Sequence, residues 1–473
     1  MGLLMSPVAL LIYCTTASLF FLSPSSAATA AIAGGTPDGS EEWGYVQVRP
    51  KAHMFWWLYR SPQRVKNKGS TPWPTVLWLQ GGPGASGVGY GNFMEIGPLD
   101  TNLKPRPSTW LSKADLLFVD NPVGTGFSYV EGGDRTLLAR TDAEAATDLT
   151  TLLSQLYRTN NTRLLQAGSP LYIVAESYGG KFAVTTALAA LKAIHAGCLA
   201  ANLAGVALGN SWISPEDSVL SWGPLLYQVS RLDENGLYLS DSLAQQIKAQ
   251  VKAAQFLEAE NTWQSLESII LEQANYIDFY NFLKDDSSSD ANLEQQQQRQ
   301  RLLASLGQSR RRYSSYLSSK VTTQGGFEGI MNTVIRDKLR IIPKNVTWSE
   351  QSDDVFEALA GDFMKPRILE VDELLKLGLN VTIYSGQLDL ICATKGTLDW
   401  IQKLKWDGLK NFTNSRRVPL YCSGGEAAGT QAFLKSYKNL KFYWILGAGH
   451  MVPIDNPCPA LKMLGDITQS PAQ

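Results

Sequence analysis

Between about residues 43 and 215 the chain alternates short, nearly unbroken apolar runs with longer stretches whose apolar positions recur at helical spacing. The runs are Met54–Tyr59, Thr75–Leu79, Asp115–Val119, Leu171–Val174 and Leu203–Leu208. Runs of that length without polar alternation suit strands covered on both faces. The amphipathic segment Asp142–Tyr157, lying between two of them, suits a crossover helix. Together they predict an α/β fold around a mostly parallel sheet. From 214 to 363 the pattern turns helical, polar and Gln-rich, softest near 285–312, where Arg310-Arg311-Arg312 reads as a solvated surface. Strand-like runs return at Asn380–Ser385 and Lys441–Leu446. The expected organisation is therefore a core formed by 31–213 and 364–473, split by a helical insertion at 214–363.

Ahead of this pattern, residues 1–30 contain no Lys, Arg, Asp or Glu and carry the apolar stretches Val8–Tyr13 and Leu19–Leu22. Small residues at Ser25, Ser26, Ala27, Ala28 and Ala30 follow, so 1–30 reads as a secretory signal peptide cleaved after Ala27 or Ala30. No later stretch is apolar enough to span a bilayer, and a mature protein without a membrane anchor is expected. N-x-[ST] triplets at Asn160, Asn345, Asn380 and Asn411 are glycosylation candidates that agree with a secretory route, although Asn380, opening a strand, is expected to be poorly accessible. Beyond Cys14 there remain Cys198, Cys392, Cys422 and Cys458, which leaves three full pairings or some free thiols open. With 42 Lys+Arg against 43 Asp+Glu the charge is nearly balanced, which disfavours nucleic acid as a partner.

The strand Leu171–Val174 runs into Ala175-Glu176-Ser177-Tyr178-Gly179-Gly180 and then into a helical stretch. Strand, tight turn, Ser and helix form a nucleophile elbow, in which the positions two residues either side of the serine must be small so that strand and helix pass closely. Ala175 and Gly179 meet that need. A serine nucleophile requires a base and an acid, which in this fold follow it as Asp or Glu and then His. The chain has three histidines. His53 precedes the serine, and His195 lies about 27 Å along the following helix. His450, in the loop after Lys441–Leu446, is the well-placed base, and Asp389, just beyond Asn380–Ser385, is the acid. For the developing oxyanion, the loop Gln80-Gly81-Gly82-Pro83-Gly84 and the elbow offer the N–H groups of Gly82 and Tyr178. A phosphate-binding reading of the same glycines fails because no G-K-[ST] ending follows. No cofactor and no metal are expected.

These residues carry a resemblance. K-A-H-M-F-W-W-L-Y from Lys51, W-L-Q-G-G-P-G, N-P-V-G-T-G-F-S-Y from Asn121, E-S-Y-G-G-K, S-W-I-S-P-E-D-S-V-L-S-W-G-P from Ser211, G-Q-L-D-L-I from Gly386 and G-H-M-V-P together resemble the serine carboxypeptidase family, and within it the retinoid-inducible branch. The resemblance implies an α/β-hydrolase fold with a helical cap, secreted or lysosomal residence, and removal of single residues from peptide or protein C-termini at acid pH through an acyl-enzyme. It implies Ser177, Asp389 and His450 as the triad, with Gly82 and Tyr178 as oxyanion donors. It also implies that Gln80, Gly81, Glu95 and Glu176 hold the substrate's terminal carboxylate, two acids sharing a proton so that one can donate to it. Gln80 stands where the family usually has Asn, and Ala85 stands where many members have a disulfide cysteine. By the same resemblance Cys392 is a free thiol near the substrate. The alternatives are an acyltransferase or esterase on the same scaffold and a non-enzymatic binding protein.

Overall fold

The apolar runs become neighbouring strands of one sheet, and their alternate residues fill two different cores. The computed structural model describes residues 33–64, 72–158, 165–285, 326–422 and 425–470. The expected leader, the triplet at Asn160 and most of the soft stretch, Arg310–Arg312 included, lie outside these residues. The strands are β1 (Ala33–Gly35), β2 (Glu41–Arg49), β3 (Ala52–Tyr59), β4 (Thr75–Leu79), β5 (Asp115–Val119), β6 (Tyr129–Val130), β7 (Pro170–Glu176), β8 (Asn202–Gly209), β9 (Asn380–Gly386), β10 (Val418–Leu420), β11 (Ala432–Tyr437) and β12 (Leu440–Ile445). They form a 12-stranded sheet in the order β1-β2-β3-β5-β4-β7-β8-β9-β12-β11-β10, with β6 on β3. The central strands from β5 to β12 are parallel, and both margins are antiparallel. This is an α/β-hydrolase arrangement, a mixed, mostly parallel sheet flanked by helices.

Period-two alternation explains why the runs look continuous. On β3, Met54, Trp56 and Leu58 enter one core while Phe55, Trp57 and Tyr59 enter the other. β4 divides Leu77 and Leu79 from Val76 and Trp78 in the same way. Helices Asp142–Arg158, Gly179–His195 and Ile368–Lys376 cover the first face, and Pro457–Thr468 covers the second. Burying each large apolar side chain contributes roughly 1.5–3 kcal/mol.

Among the described residues, the chain between β8 and β9 adds no strand to the sheet. It packs in two places. Helices Pro215–Gln228, Glu234–Lys252 and Phe256–Gln273 extend the first core through Trp222, Ile247 and Trp263. The stretch from Phe327 to Trp348 instead lies on the second face, where Trp43 Nε1 donates to the Leu339 carbonyl at 3.0 Å and Trp348 Nε1 to Ser86 Oγ at 3.0 Å. Periodicity alone does not separate these halves, because both read as helix. Asn380 departs from expectation: it is exposed, as are Asn345 and Asn411, even though it pairs with Gly205 of β8 and its Nδ2 donates to the Ala204 carbonyl at 3.1 Å. Cys422 and Cys458 form a disulfide, and Cys392 is a free, buried thiol.

Candidate active site

In a parallel sheet the carboxyl ends of the strands point the same way, so loops that leave adjacent strands meet in one crevice. Register makes the meeting tight: Leu79 pairs with Ala175, Glu176 with Gly209, Gly209 with Tyr384, and Gly386 with Ile445. The next residues on these strands lead to Gln80, Ser177, Asn210, Asp389 and His450.

Ser177 has φ 60°, a left-handed conformation that costs a non-glycine residue about 1–3 kcal/mol and persists only where its surroundings enforce it. Here Ser177 N–H donates to the Gly209 carbonyl at 3.1 Å, and the Ser177 carbonyl accepts from Trp212 N at 2.9 Å. A Cβ at Gly179 would come within 2.3 Å of the Leu79 carbonyl oxygen, which is the close strand-to-helix passage the elbow demands. Ser177 is partly exposed while its neighbours Glu176 and Tyr178 are buried.

Asp389 and His450 are fully buried, and His450 Nδ1 lies 2.9 Å from Asp389 Oδ2. Asn210 Nδ2 donates to the same Oδ2 at 2.6 Å. The Tyr280 ring meets the imidazole edge-on at 5.1 Å, and His450 N–H donates to the Tyr280 carbonyl at 2.8 Å. With Nδ1 committed to the carboxylate, Nε2 is the nitrogen left to accept a proton, and it makes no hydrogen bond here. The contact between imidazole and Ser177 hydroxyl is thus not closed. Cys392 belongs to the same neighbourhood, since the ligand atoms of Asp389, Cys392 and His450 lie within 4.8 Å of one another. Burial first, then the charges of Asp389 and Glu176, push the Cys392 thiol well above its ordinary pKa. A protonated thiol beside an engaged Asp–His pair is poorly suited to holding a metal ion.

The N–H groups of Gly82 (φ 105°) and Tyr178 donate to no main-chain oxygen among the described residues, and both residues line the pocket at Ser177. Beneath the glycine loop, Trp78 Nε1 donates to Gln80 Oε1 at 2.7 Å, which turns Gln80 Nε2 toward Glu176 Oε1 at 3.0 Å. Glu95 and Glu176 are buried, and neither Glu95 oxygen nor Glu176 Oε2 has a well-formed hydrogen bond. Burial raises the Glu176 pKa well above the carboxylate range, and the adjacent Glu95 charge adds to it. Glu95 is raised by burial as well, partly offset by Glu176, Gln80, His450 and Arg106. The structure therefore brings Gln80, Glu95 and Glu176 together, sets Gly81 against Ser177, where a Cβ on Gly81 would come within 2.6 Å of the Ser177 Cβ, and pairs Asp389 with His450. His53 pairs with Glu131 and stacks on Tyr129, and His195 ends its helix.

Two features had escaped sequence reasoning. Asn210 has no local signature beyond being a polar residue at a strand end. The other is a buried charge network behind the elbow: Tyr178 Oη donates to Asp142 Oδ1 at 2.7 Å, Arg367 binds Asp142 and Asp362, and Lys181 lies 3.6 Å from Asp142. Burial lowers Lys181 to about 8. These ionisable residues come from three separate stretches of the sequence, and no local pattern joins them.

The family model for serine carboxypeptidases matches residues 33–470. Serine carboxypeptidase-like 51 of Arabidopsis thaliana is 56% identical over 440 residues, covering 92% of this chain and 93% of that protein. The human retinoid-inducible serine carboxypeptidase is 46% identical over 442 residues, with 93% and 94% covered. Among solved structures, Kex1(delta)p, a prohormone-processing carboxypeptidase from Saccharomyces cerevisiae, superposes with TM-score 0.71 at 24% identity, over 92% of this chain and 93% of that one, a likeness of fold.

Proposed function

Because this chain belongs to the serine carboxypeptidase family and is a serine-type carboxypeptidase, we propose that Ser177 is its nucleophile, His450 its base and Asp389 the acid that orients the base. The observation that carries this reading is the buried 2.9 Å pair of His450 Nδ1 and Asp389 Oδ2 at the ends of neighbouring strands, close to the strained serine turn. His450 Nε2 takes the Ser177 proton as Oγ attacks the carbonyl of the last peptide bond. Gly82 and Tyr178 N–H groups stabilise the oxyanion, each worth about 2.7–4 kcal/mol by comparison with such donors elsewhere. Collapse of the tetrahedral adduct passes the proton to the leaving amine, releases the terminal amino acid and leaves an acyl-enzyme. Water, activated by the same imidazole, then frees the shortened peptide and Ser177. The open gap between imidazole and hydroxyl closes on substrate binding, as catalytic hydrogen bonds commonly do.

Exopeptidase selectivity follows from the second cluster. Gln80 Nε2, Gly81 N–H and the proton shared by Glu95 and Glu176 receive the terminal carboxylate, and this proton is present at acid pH. The helices between β8 and β9 that carry Trp263 act as a cap over the pocket. The exposed Asn345, Asn380 and Asn411 support glycosylation on a secretory or lysosomal route; among the described residues no helix is long and apolar enough to cross a membrane. An active-site fluorophosphonate tests the nucleophile: a single adduct mapping to Ser177 is expected, and intact protein that reacts elsewhere or not at all speaks against it.

A further inference from the structure

The pocket beside Ser177 spans about 530 Å³, part of it open to solvent, and is lined by Trp212, Trp263, Tyr280, Phe356 and Phe363 together with Glu267. Glu267 is the one carboxylate in this lining among the described residues. It sits one helical turn after Trp263 on Phe256–Gln273, so both side chains share a face of that helix. Both belong to the packed interior, with only 4% of Trp263 and 5% of Glu267 exposed. The rings hold one another: Trp263 lies 4.7 Å from Phe363, and Trp212 lies 5.6 Å from Phe363 and 6.3 Å from Trp263. The negative charge of Glu267 is felt at Tyr280, the residue that packs on His450.

A carboxylate set among aromatic faces complements a cation. An ammonium or guanidinium gains a charge-assisted hydrogen bond from the first and attraction to the ring faces from the second. A neutral side chain gains only apolar burial, and an acidic one meets repulsion. None of Gln80, Gly81, Glu95 and Glu176 lines this pocket. If they take the terminal carboxylate, the departing residue lies on their side of Ser177, which leaves the pocket for the side chain just before the scissile bond.

We propose that Glu267 makes the enzyme select peptides with Lys or Arg as the penultimate residue. The inference rests on the assignment of Ser177 and of the carboxylate-binding set given above. It is tested with full-length enzyme on N-blocked peptides that share a C-terminal Leu and carry Arg, Lys, Leu or Glu before it, plus one with Leu then Arg. The readout is the ratio of kcat/KM for penultimate Arg to penultimate Leu, in which loss of folded enzyme cancels. Glu267→Gln is expected to lower that ratio about 10- to 100-fold, the range for a hydrogen bond to a charged group. Glu267→Asp, which keeps the charge, is expected to retain most of it. An equal ratio in wild type and Glu267→Gln overturns the proposal, as does a change that follows the terminal rather than the penultimate Arg. Failure of wild type to hydrolyse any of the peptides would instead sink the Ser177 reading and this inference with it.

Discussion

Asp389→Asn is expected to lower kcat about 10⁴-fold while leaving the fold intact, by analogy with orienting acids in other triads. Asp389 Oδ2 accepts from both His450 Nδ1 and Asn210 Nδ2. An amide whose oxygen takes the Oδ2 place keeps both contacts but not the charge. If its NH₂ takes that place instead, it faces the imidazole, and Nδ1 must become the acceptor. The ring proton then moves to Nε2, the atom that has to receive the proton of Ser177. The side chain keeps its size, so packing around the fully buried position is little disturbed. Steady-state kinetics with circular dichroism as a folding control checks this, and a loss under about tenfold would remove Asp389 from the mechanism.

The second large effect is on KM. Peptide KM is expected to rise between about pH 4.5 and 7.5, approaching tenfold per unit once the Glu95–Glu176 pair has lost its shared proton. The sign follows from the direction of the shifts. Burial raises both carboxyl groups and the Glu95 charge raises Glu176 further, so the proton persists into pH values where a free glutamate has lost it. Below that transition the pair donates to the incoming carboxylate; above it, anion meets anion. Ester substrates without a free carboxylate are expected to show a much flatter profile. Glu176→Gln, whose amide donates at any pH while its oxygen still accepts from Gln80, is expected to flatten the peptide profile too. A wild-type KM that stays level across this range would contradict the assignment.

Much of this was legible because the informative residues are local. Ala175-Glu176-Ser177-Tyr178-Gly179 announces its own turn through the small residues at 175 and 179, while the left-handed serine is held by Gly209 and Trp212 and the helix start passes close to Leu79. The parallel strands announced themselves because both faces are buried, so each residue had to be apolar. Having few histidines left His450 as the candidate base. What stayed hidden is what depends on distant neighbours. Asn210 meets Asp389 across 179 residues, and nothing around it marks it. β2 and β11 mix polar with apolar residues at the sheet margins, so their runs are broken. Glu95 lies in the glycine-rich stretch Gly87–Ile96, whose burial follows from packing against Trp78 and Trp348 rather than from any amphipathic pattern. Trp43 and Trp348 clasp a stretch that by periodicity belongs with the other helices of the insertion.

The most direct measurement is acid-pH digestion of matched peptides with free and amidated C-termini by wild type and Ser177→Ala, with products read by mass. Stepwise loss of single residues from the free-acid peptides alone, and only with wild type, is the outcome these structural relations require. Equal trimming of the amidated peptides, or trimming that survives in Ser177→Ala, would contradict them.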